Sequence, residues 1–139
     1  MSKLYIAGPM TGYPQFNFPA FYEAAKTLRA QGIEIISPAE EDEKYGVAQV
    51  AITSIDGKLD ANGKVAGNTW GDMLARDVKI VADLVDGVAV LKNWERSKGA
   101  KLEVTTALLA GKAIFAYHEG AGLTELSRDW VKEVLHANL

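Results

Sequence analysis

The first part of the chain alternates short apolar runs with an amphipathic segment. The run at Lys3–Ala7 stops at a Gly-Pro pair, which predicts a strand that ends in a turn. Apolar positions then follow helical spacing over residues 19–32 and predict a helix. A second strand is predicted at 33–37, closed by a proline. A strand, a helix and a strand in this order form a crossover unit, so we expect a parallel sheet.

The second half of the chain repeats this alternation. The same patterns predict a helix from 69 to the Asp-Gly pair at 86–87, a strand at 88–91, a helix at 99–109, a strand at 113–117 and a terminal helix at 124–139. This order predicts a single α/β domain over residues 1–139, a three-layer flavodoxin-like sandwich around a parallel sheet of strand order 2-1-3-4. The ligand crevice of such a sheet lies beside the carboxyl ends of strands one and three.

An irregular insertion around 40–68 interrupts the alternation. It opens with acidic residues and continues with mixed apolar and Gly/Asn/Asp-rich sequence that has no sustained helical periodicity. Residues 52–55 and 58–59 fit a small hairpin around Asp56-Gly57. A loop of this length in a compact domain is a lid, a binding loop or a mobile insertion, and the sequence leaves the three open.

Composition and charge argue against several classes of function. The 139 residues are 48% hydrophobic with a net charge of −3, so we expect a globular fold without affinity for nucleic acid or anionic membranes. No apolar stretch approaches the roughly 18 residues of a membrane span, and no signal-peptide pattern opens the chain. Zero cysteines exclude a thiolate nucleophile, and two separate histidines argue against a metal site. We expect a small-molecule ligand and a cytoplasmic location.

Asp77 is the first candidate for chemistry, because it interrupts an apolar helical stripe. The other members of the stripe are Trp70, Leu74, Val81 and Leu84. A charged group on a core-facing stripe needs a partner or a purpose. Asp77 therefore forms a structural ion pair with a neighbouring Arg or Lys, turns to solvent, or faces a binding site.

Glu103 repeats this observation on the next helix. It borders the small apolar face of Ala100 and Ala107, near the helix start where amide donors stabilise a carboxylate. The alternative is a solvated glutamate that favours the helix dipole. Two carboxylates that flank a crevice suit cleavage of a glycosidic bond, O- or N-linked, with one as nucleophile or charge stabiliser and the other handling protons.

The segment 97–100 follows a predicted strand and opens a predicted helix. The free amides of a helix start, the Ser97 hydroxyl and the close approach that Gly99 allows would together cradle a phosphate or a sugar hydroxyl. Arg96, Lys98 and Lys101 add positive charge there. The alternative is an ordinary serine cap with a turn glycine.

Two aromatic residues and two histidines remain. Tyr5, in the first strand, is either a core tyrosine or a hydrogen-bond donor to the site. Trp94, in the loop after the third strand, either covers a flat base or closes the core edge. His118 and His136 have no partner at metal or triad spacing and receive no role.

Three segments carry a family resemblance. They are Tyr5-Ile6-Ala7-Gly8-Pro9-Met10-Thr11-Gly12, Arg76-Asp77 and Ser97-Lys98-Gly99-Ala100-Lys101-Leu102-Glu103. With them the chain resembles the nucleoside 2-deoxyribosyltransferase-like superfamily, which includes small bacterial and phage proteins of unknown function that open with the same Tyr-Ile-Ala-Gly-Pro-Met-Thr-Gly run. The resemblance covers most of residues 3–117 outside the insertion.

The resemblance implies an enzyme that cleaves or exchanges the N-glycosidic bond of a 2′-deoxyribonucleoside or its 5′-monophosphate. By its implication, Glu103 is the nucleophile, Asp77 orients the sugar or assists protonation of the base, and Tyr5 positions Glu103. It also implies that Ser97 and Gly99 bind a 5′-phosphate and that Gly8 and Pro9 shape the pocket floor. A homo-oligomer is implied, and no metal or organic cofactor is needed.

Two other functions stay open at this point. One is a nucleotide-binding or sensing protein that keeps the pocket without turnover. The other is a glycohydrolase that acts on an NAD-like dinucleotide, where a glutamate can also stabilise a ribosyl cation. The absence of the Gly-Gly-x-Gly-Thr run expected of cytokinin-type phosphoribohydrolases argues against that related group.

Overall fold

Seven strands and five helices make up the part of the chain that the structure describes. The computed structural model describes residues 2–44, 46, 54–60, 63–65 and 67–139. The strands are β1 (Lys3–Ala7), β2 (Glu34–Ile36), β3 (Lys64–Val65), β4 (Asn68–Thr69), β5 (Gly87–Val90), β6 (Ala113–His118) and β7 (Gly122–Glu125). The helices are α1 (Phe18–Ala30), α2 (Pro38–Lys44), α3 (Trp70–Asp83), α4 (Lys98–Leu109) and α5 (Arg128–Ala137), with short 3-10 turns at Pro14–Asn17 and Trp94–Arg96.

Five of the strands form one sheet in the spatial order β2-β1-β5-β6-β7. The first four are parallel, and the register places Tyr5 beside Ile36 on one side and beside Val88 on the other. Because β5 and β6 are the third and fourth predicted strands, the predicted order 2-1-3-4 is confirmed. β1 is hydrogen-bonded on both sides, which fixes the direction of its side chains.

The end of the chain differs from the prediction. Gly122–Glu125 forms β7, an antiparallel edge strand on β6, where the sequence predicted the start of the terminal helix. Gly120 adopts a φ of +68°, which glycine allows at low cost, in the turn between the two strands. The helix begins only at Arg128, after the Ser127 hydroxyl has accepted a hydrogen bond from the backbone N–H of Trp130. The predicted terminal helix is therefore several residues too long at its start.

Helices cover both faces of the sheet, as a three-layer sandwich requires. Side chains alternate along β1, so that Leu4 and Ile6 pack with α1 and α2, while Tyr5 and Ala7 pack with α3, α4 and α5. The hydroxyl-bearing ring of Tyr5 therefore enters the same layer as the two helices that carry Asp77 and Glu103.

Helix α3 confirms the centre of the predicted apolar stripe and corrects its ends. Asp77 and Val81 are buried, whereas Trp70 is 39% exposed and Leu84 is 56% exposed. These two residues occupy the first position and the C-cap of α3, where the helix ends contribute less to the core. Among the described residues, no helix, α3 included, is long and apolar enough to cross a lipid bilayer.

Helix α2 is a regular element inside the insertion that the sequence analysis treated as irregular. Pro38 opens the helix, and Glu40 and Glu41 lie in its first turn, where the helix dipole stabilises acidic side chains. Ala39 and Asp42, three residues apart, are buried. A helix of seven residues spans only two turns, which is too short for a periodic apolar pattern to show.

The hairpin predicted around Asp56-Gly57 is wrong for the described residues 54–60, which contain no strand. The remaining residues of that prediction, 52 and 53, lie outside the described residues. The antiparallel pair of this region is formed instead by β3 and β4, immediately before α3. An Asp-Gly pair favours a turn. Here its glycine, Gly57, takes part in a contact between two loops that is described below.

Candidate active site

A cavity of about 530 Å³ opens at the carboxyl edge of the sheet. Gly8 and Pro9, which follow β1, line one side, and residues 96–100, which follow β5, line the other. The cavity thus lies where the strand order reverses, which is the place predicted for the crevice.

The structure brings most of the predicted site residues together. Those that line the cavity are Gly8, Pro9, Asp77, Ser97, Gly99 and Glu103. Tyr5 is fully buried and reaches the site through its hydroxyl. Trp94 is the exception: it is 5% exposed and packs in the core with α3, α4 and α5, because left-handed Asn93 opens a 3-10 turn there. Trp94 is not among the residues that line the cavity, which favours the second interpretation, that it closes the core edge.

Glu103 lies on the second turn of α4 and is 6% exposed. The small side chains of Ala100 and Ala107 belong to the same buried cluster as β1 and β5, so α4 lies close to the sheet. The Tyr5 hydroxyl donates a hydrogen bond to Glu103 Oε2 over 2.7 Å. Burial first, and then the charge of Glu103, raises the pKa of Tyr5, which keeps this hydroxyl a proton donor.

Asp77 is held by its neighbour Arg76, which also holds Asp42 of α2. Arg76 Nε and Nη2 each lie 2.7 Å from Asp77 Oδ1, and Arg76 Nη1 lies 2.6 Å from Asp42 Oδ1. The structural ion pair considered for Asp77 therefore exists, and the same carboxyl group also lines the cavity. Among the described residues, no group of three His, Cys, Asp or Glu side chains is placed to hold a metal ion.

Glu103 and Asp77 titrate as a pair, because both are buried at the same cavity and the charge of Asp77 acts on Glu103. Burial, and then the negative charge of Asp77, raises the pKa of Glu103 well above its usual range. Burial raises the pKa of Asp77 to about 6, although Arg76 acts in the opposite direction. The pair therefore retains a proton under conditions in which exposed carboxyl groups have lost theirs.

The start of α4 forms the cationic end of the cavity. Ser97 caps the helix, with its Oγ accepting a hydrogen bond from the Ala100 backbone N–H over 3.1 Å. The backbone amides of Lys98 and Gly99 lie in the first turn, where the helix itself offers no acceptor. The side chains of Arg96 and Lys98 also line the cavity. The residues that form the ordinary serine cap are thus the same residues that would form the anion cradle.

The opposite wall carries an unusual backbone conformation. Gln15, Phe16 and Asn17 have consecutive φ values of 56°, 51° and 61°, in the left-handed region. Each such residue costs about 1 kcal/mol or more, so the surrounding contacts must hold the segment. One of these is a hydrogen bond of 2.9 Å from Asn17 Nδ2 to the Pro9 carbonyl oxygen. The result places Phe16 in the cavity wall.

Residues 54–60 of the insertion contact this wall directly. The Gly12 N–H donates to the Gly57 carbonyl over 2.8 Å, and the Gln15 N–H donates to the Ser54 carbonyl over 2.7 Å. Leu59 lines the cavity. The described part of the insertion therefore belongs to the binding cavity itself, which supports the binding-loop interpretation of the three that the sequence left open.

A second hollow of about 460 Å³ lies between α2 and α3. Arg76 lines both hollows, so its side chain stands between them. Lys79 and Asp83 line the outer hollow, 3.0 Å apart in an exposed ion pair. Arg76, which binds the two buried aspartates, is therefore a wall residue of both hollows.

The sequence model of a family described as a domain of unknown function (DUF4406) matches residues 2–116. The chain belongs to this family. The DUF4406 region extends from β1 almost to the end of β6 and includes Tyr5, Asp77 and Glu103; β7 and α5 lie beyond it. A comparison with curated proteins finds no match.

Two residues of the DUF4406 site were missed by sequence reasoning as parts of the site. Asp42 lies in the acidic start of the segment that was interpreted as an irregular insertion. Arg76 was considered only as part of a motif and as a possible ion-pair partner of Asp77. A signal for Asp42 existed, because Ala39 and Asp42 share one face of a short helix after Pro38. Its contact with Arg76 joins α2 to α3, which no local pattern in the sequence encodes.

Proposed function

We propose that this DUF4406 protein cleaves or exchanges the N-glycosidic bond of a 2′-deoxyribonucleoside or its 5′-monophosphate, with Glu103 as the nucleophile. The main support is the buried Glu103 carboxyl at the cavity, hydrogen-bonded by Tyr5 and paired with a second carboxyl, Asp77. The resemblance to the nucleoside 2-deoxyribosyltransferase-like superfamily suggests the same assignment of roles.

In the first step, the Glu103 carboxylate attacks C1′ of the sugar and the C1′–N bond breaks, with its electron pair leaving on the base. Asp77 gives its proton to the base nitrogen, so that the base leaves without a negative charge. Burial favours a proton on the Asp77–Glu103 pair, and the Tyr5 hydrogen bond to Glu103 Oε2 favours the ionised form of Glu103, so the reactive form carries this proton on Asp77. The products of this step are the free base, an ionised Asp77 and a glycosyl ester on Glu103.

In the second step, an acceptor attacks C1′ and transfers its proton to Asp77, and the ester bond electrons return to Glu103. If the acceptor is water, the net reaction is hydrolysis; if it is another base, the net reaction is exchange. The Tyr5 hydroxyl donates to Glu103 Oε2, so it stabilises the carboxylate as the leaving group of this step.

The cationic end of the cavity favours a substrate with a 5′-phosphate. The first-turn amides of α4 and the side chains of Arg96 and Lys98 suit a phosphate group by charge and by hydrogen-bond geometry. The apolar end, which includes Phe16 and Leu59, suits the flat base. A deoxynucleoside monophosphate therefore uses both ends of the cavity.

The experiment is release of free base, followed by chromatography, from a panel of deoxynucleosides, their 5′-monophosphates and NAD. Wild-type protein is compared with Glu103→Gln, Asp77→Asn and Glu95→Gln. Glu95 lies on the neighbouring 3-10 turn and serves as the matched control. We expect release from at least one deoxyribosyl substrate, a loss of several orders of magnitude for Glu103→Gln, and wild-type rates for Glu95→Gln. Transfer to an added base distinguishes exchange from hydrolysis.

A nucleotide-binding protein without turnover is the second candidate. The observation that favours it is that two nitrogens of Arg76 contact Asp77, because a bound guanidinium opposes protonation of that carboxyl group. No base release from any substrate, together with a nucleotide-dependent thermal shift, would support this candidate and overturn the enzyme proposal. Base release from NAD alone would favour the dinucleotide glycohydrolase.

Three expectations from the sequence accompany this proposal. We propose a homo-oligomer, which light scattering of the purified protein tests. We also propose a cytoplasmic location and partners limited to small molecules. Fractionation of cells that express the protein tests the location, and a salt-dependent DNA-binding assay tests the lack of nucleic-acid binding.

A further inference from the structure

One guanidinium group serves two carboxylates that come from different helices. Asp42 of α2 contacts Nη1 of Arg76 at 2.6 Å, and Asp77 contacts Nε and Nη2 at 2.7 Å. The side chains of all three residues are largely buried. In such surroundings charges interact strongly and little solvent screens them.

Asp42 and Asp77 therefore compete for the positive charge of Arg76. A guanidinium with a single carboxylate partner would strongly favour the ionised form of that partner. Here the charge is divided, and the third carboxyl group, Glu103, has the neutral Tyr5 hydroxyl as its direct donor. The cluster holds three carboxyl groups and one guanidinium, so full ionisation would leave two uncompensated negative charges in a largely buried space.

We propose that Asp42 is a positioning residue that acts through Arg76: by engaging one edge of the guanidinium, it limits the positive charge available to Asp77 and so keeps one proton on the Asp77–Glu103 pair. This inference rests on the proposed function for its importance, because a proton on Asp77 is what the leaving base needs. Asp42 itself takes no part in bond making or breaking.

Every element packed around the pair contributes a charged or titratable group. Tyr5 comes from β1, Asp42 from α2, Arg76 from α3 beside Asp77, and Glu103 from α4. At the mouth of the cavity, Arg96 and Lys98 add positive charge. Asp42 is the member of this set whose removal takes one carboxylate away from Arg76 while the groups of the pair and of the cavity mouth keep their charges.

The test is Asp42→Asn, which removes the charge and keeps the size, compared with Asp42→Glu, which keeps the charge and changes the size. Glu40→Gln is the matched control, because it breaks the ion pair of Glu40 with Arg29, on the same helix and away from the buried cluster. Side-chain carboxyl titration by carbon-13 NMR gives the midpoints of the pair, and the pH profile of base release gives the functional readout.

We expect Asp42→Asn to lower the midpoint of the Asp77 step, and the alkaline limb of the pH profile, by about 1 pH unit. Asp42→Glu and Glu40→Gln keep both where wild-type protein has them. If Asp42→Asn does not fold, Arg76→Gln tests the other half of the argument, since loss of the shared charge raises the same midpoint. A shift in Asp42→Glu without one in Asp42→Asn would mean that Asp42 acts by packing, which overturns the inference.

The two proposals fail in different ways. Wild-type protein that releases no base, but whose NMR midpoints move as expected in Asp42→Asn, contradicts the proposed function and supports the inference. Active wild-type protein whose midpoints and pH profile stay unchanged in Asp42→Asn contradicts the inference and leaves the proposed function in place.

Discussion

Tyr5 and Glu103, separated by 98 positions in the sequence, meet through a hydrogen bond of 2.7 Å between the Tyr5 hydroxyl and Glu103 Oε2. Tyr5 is fully buried on β1, which has a parallel neighbour on each side. Tyr5, held at the centre of the sheet, thus orients the carboxyl group of Glu103, which is carried by α4.

Tyr5→Phe removes the donor and keeps the ring. Because the Tyr5 hydrogen bond lowers the pKa of Glu103 against the effect of burial, we expect that pKa to rise further and the acid limb of the pH profile to move to higher pH. Turnover should fall by about 10- to 100-fold and stability by about 1 kcal/mol. Tyr22→Phe is the control, since Tyr22 donates to Glu43 in an exposed pair of 2.6 Å. Equal pH profiles for Tyr5→Phe and wild-type protein would contradict this role of Tyr5.

Glu103 and Asp77 impose an unusual dependence of stability on pH. Both carboxyl groups have folded-state pKa values above their usual values, so the folded state binds their protons more tightly than the unfolded chain does. Their contribution to stability is fully present below about pH 4 and is lost as the pH rises through about 6 and beyond. Glu103→Gln, which stays neutral, should gain stability relative to wild-type protein as the pH rises. Urea denaturation at pH 4 to 8 measures the difference, and a difference that does not change with pH would refute this expectation.

Gly57 has a local reason to be glycine. Its φ is +65°, and a Cβ there would lie 2.0 Å from the Tyr13 carbonyl oxygen. We expect Gly57→Ala to displace the loop 54–60 from the cavity wall and to weaken nucleotide binding by at least 10-fold. Gly63→Ala is the matched control, because its φ is +72° but nothing lies within 4 Å of a Cβ there. Both variants bear the cost of a left-handed alanine, about 1 kcal/mol, so calorimetric binding isolates the effect of the clash.

A substitution at Gly99 distinguishes the stability of α4 from its proposed role in phosphate binding. A Cβ at Gly99 would have Trp70 Nε1 as its nearest neighbour, at 3.9 Å, so alanine fits. Gly99→Ala should stabilise the helix by up to about 1 kcal/mol. If a phosphate lies against the first turn of α4, the same methyl group weakens binding of the monophosphate more than binding of the nucleoside. Isothermal titration with both ligands measures this ratio, and an unchanged ratio would place the phosphate elsewhere.

The order of the sheet could be predicted from the apolar runs and the alternation of strands and helices. For Glu103, helical spacing placed it beside the apolar face of α4 but left a solvated position open, and the structure shows that it is buried. The sequence left two positions open for Trp94. Asn93, directly before it, adopts the left-handed conformation and opens the 3-10 turn that carries Trp94, and a residue-type preference does not decide between the two positions. Asp42 was missed for a different reason. Its ion-pair partner Arg76 belongs to another helix, and the one local signal, its position three residues after Ala39, does not identify that partner.

The edge strand β7 and the short helix α2 could not be predicted from local sequence patterns either. β7 is four residues long and owes its existence to pairing with β6, so its sequence could be assigned equally well to the first turn of a helix. Helix α2 also depends on contacts with other elements. Pro38 stabilises its start, and Ala39 and Asp42 contact the rest of the protein. Isolated helices of that length are not stable.

Arg76 also has a purely spatial role that follows from its place between the two hollows. The inner and outer hollows measure about 530 Å³ and 460 Å³, and the Arg76 side chain is part of the wall of each. A shorter side chain there would remove wall from both hollows at once, so the inner cavity would extend towards the outer hollow. The residue that binds both buried aspartates thus also helps to set the size of the cavity.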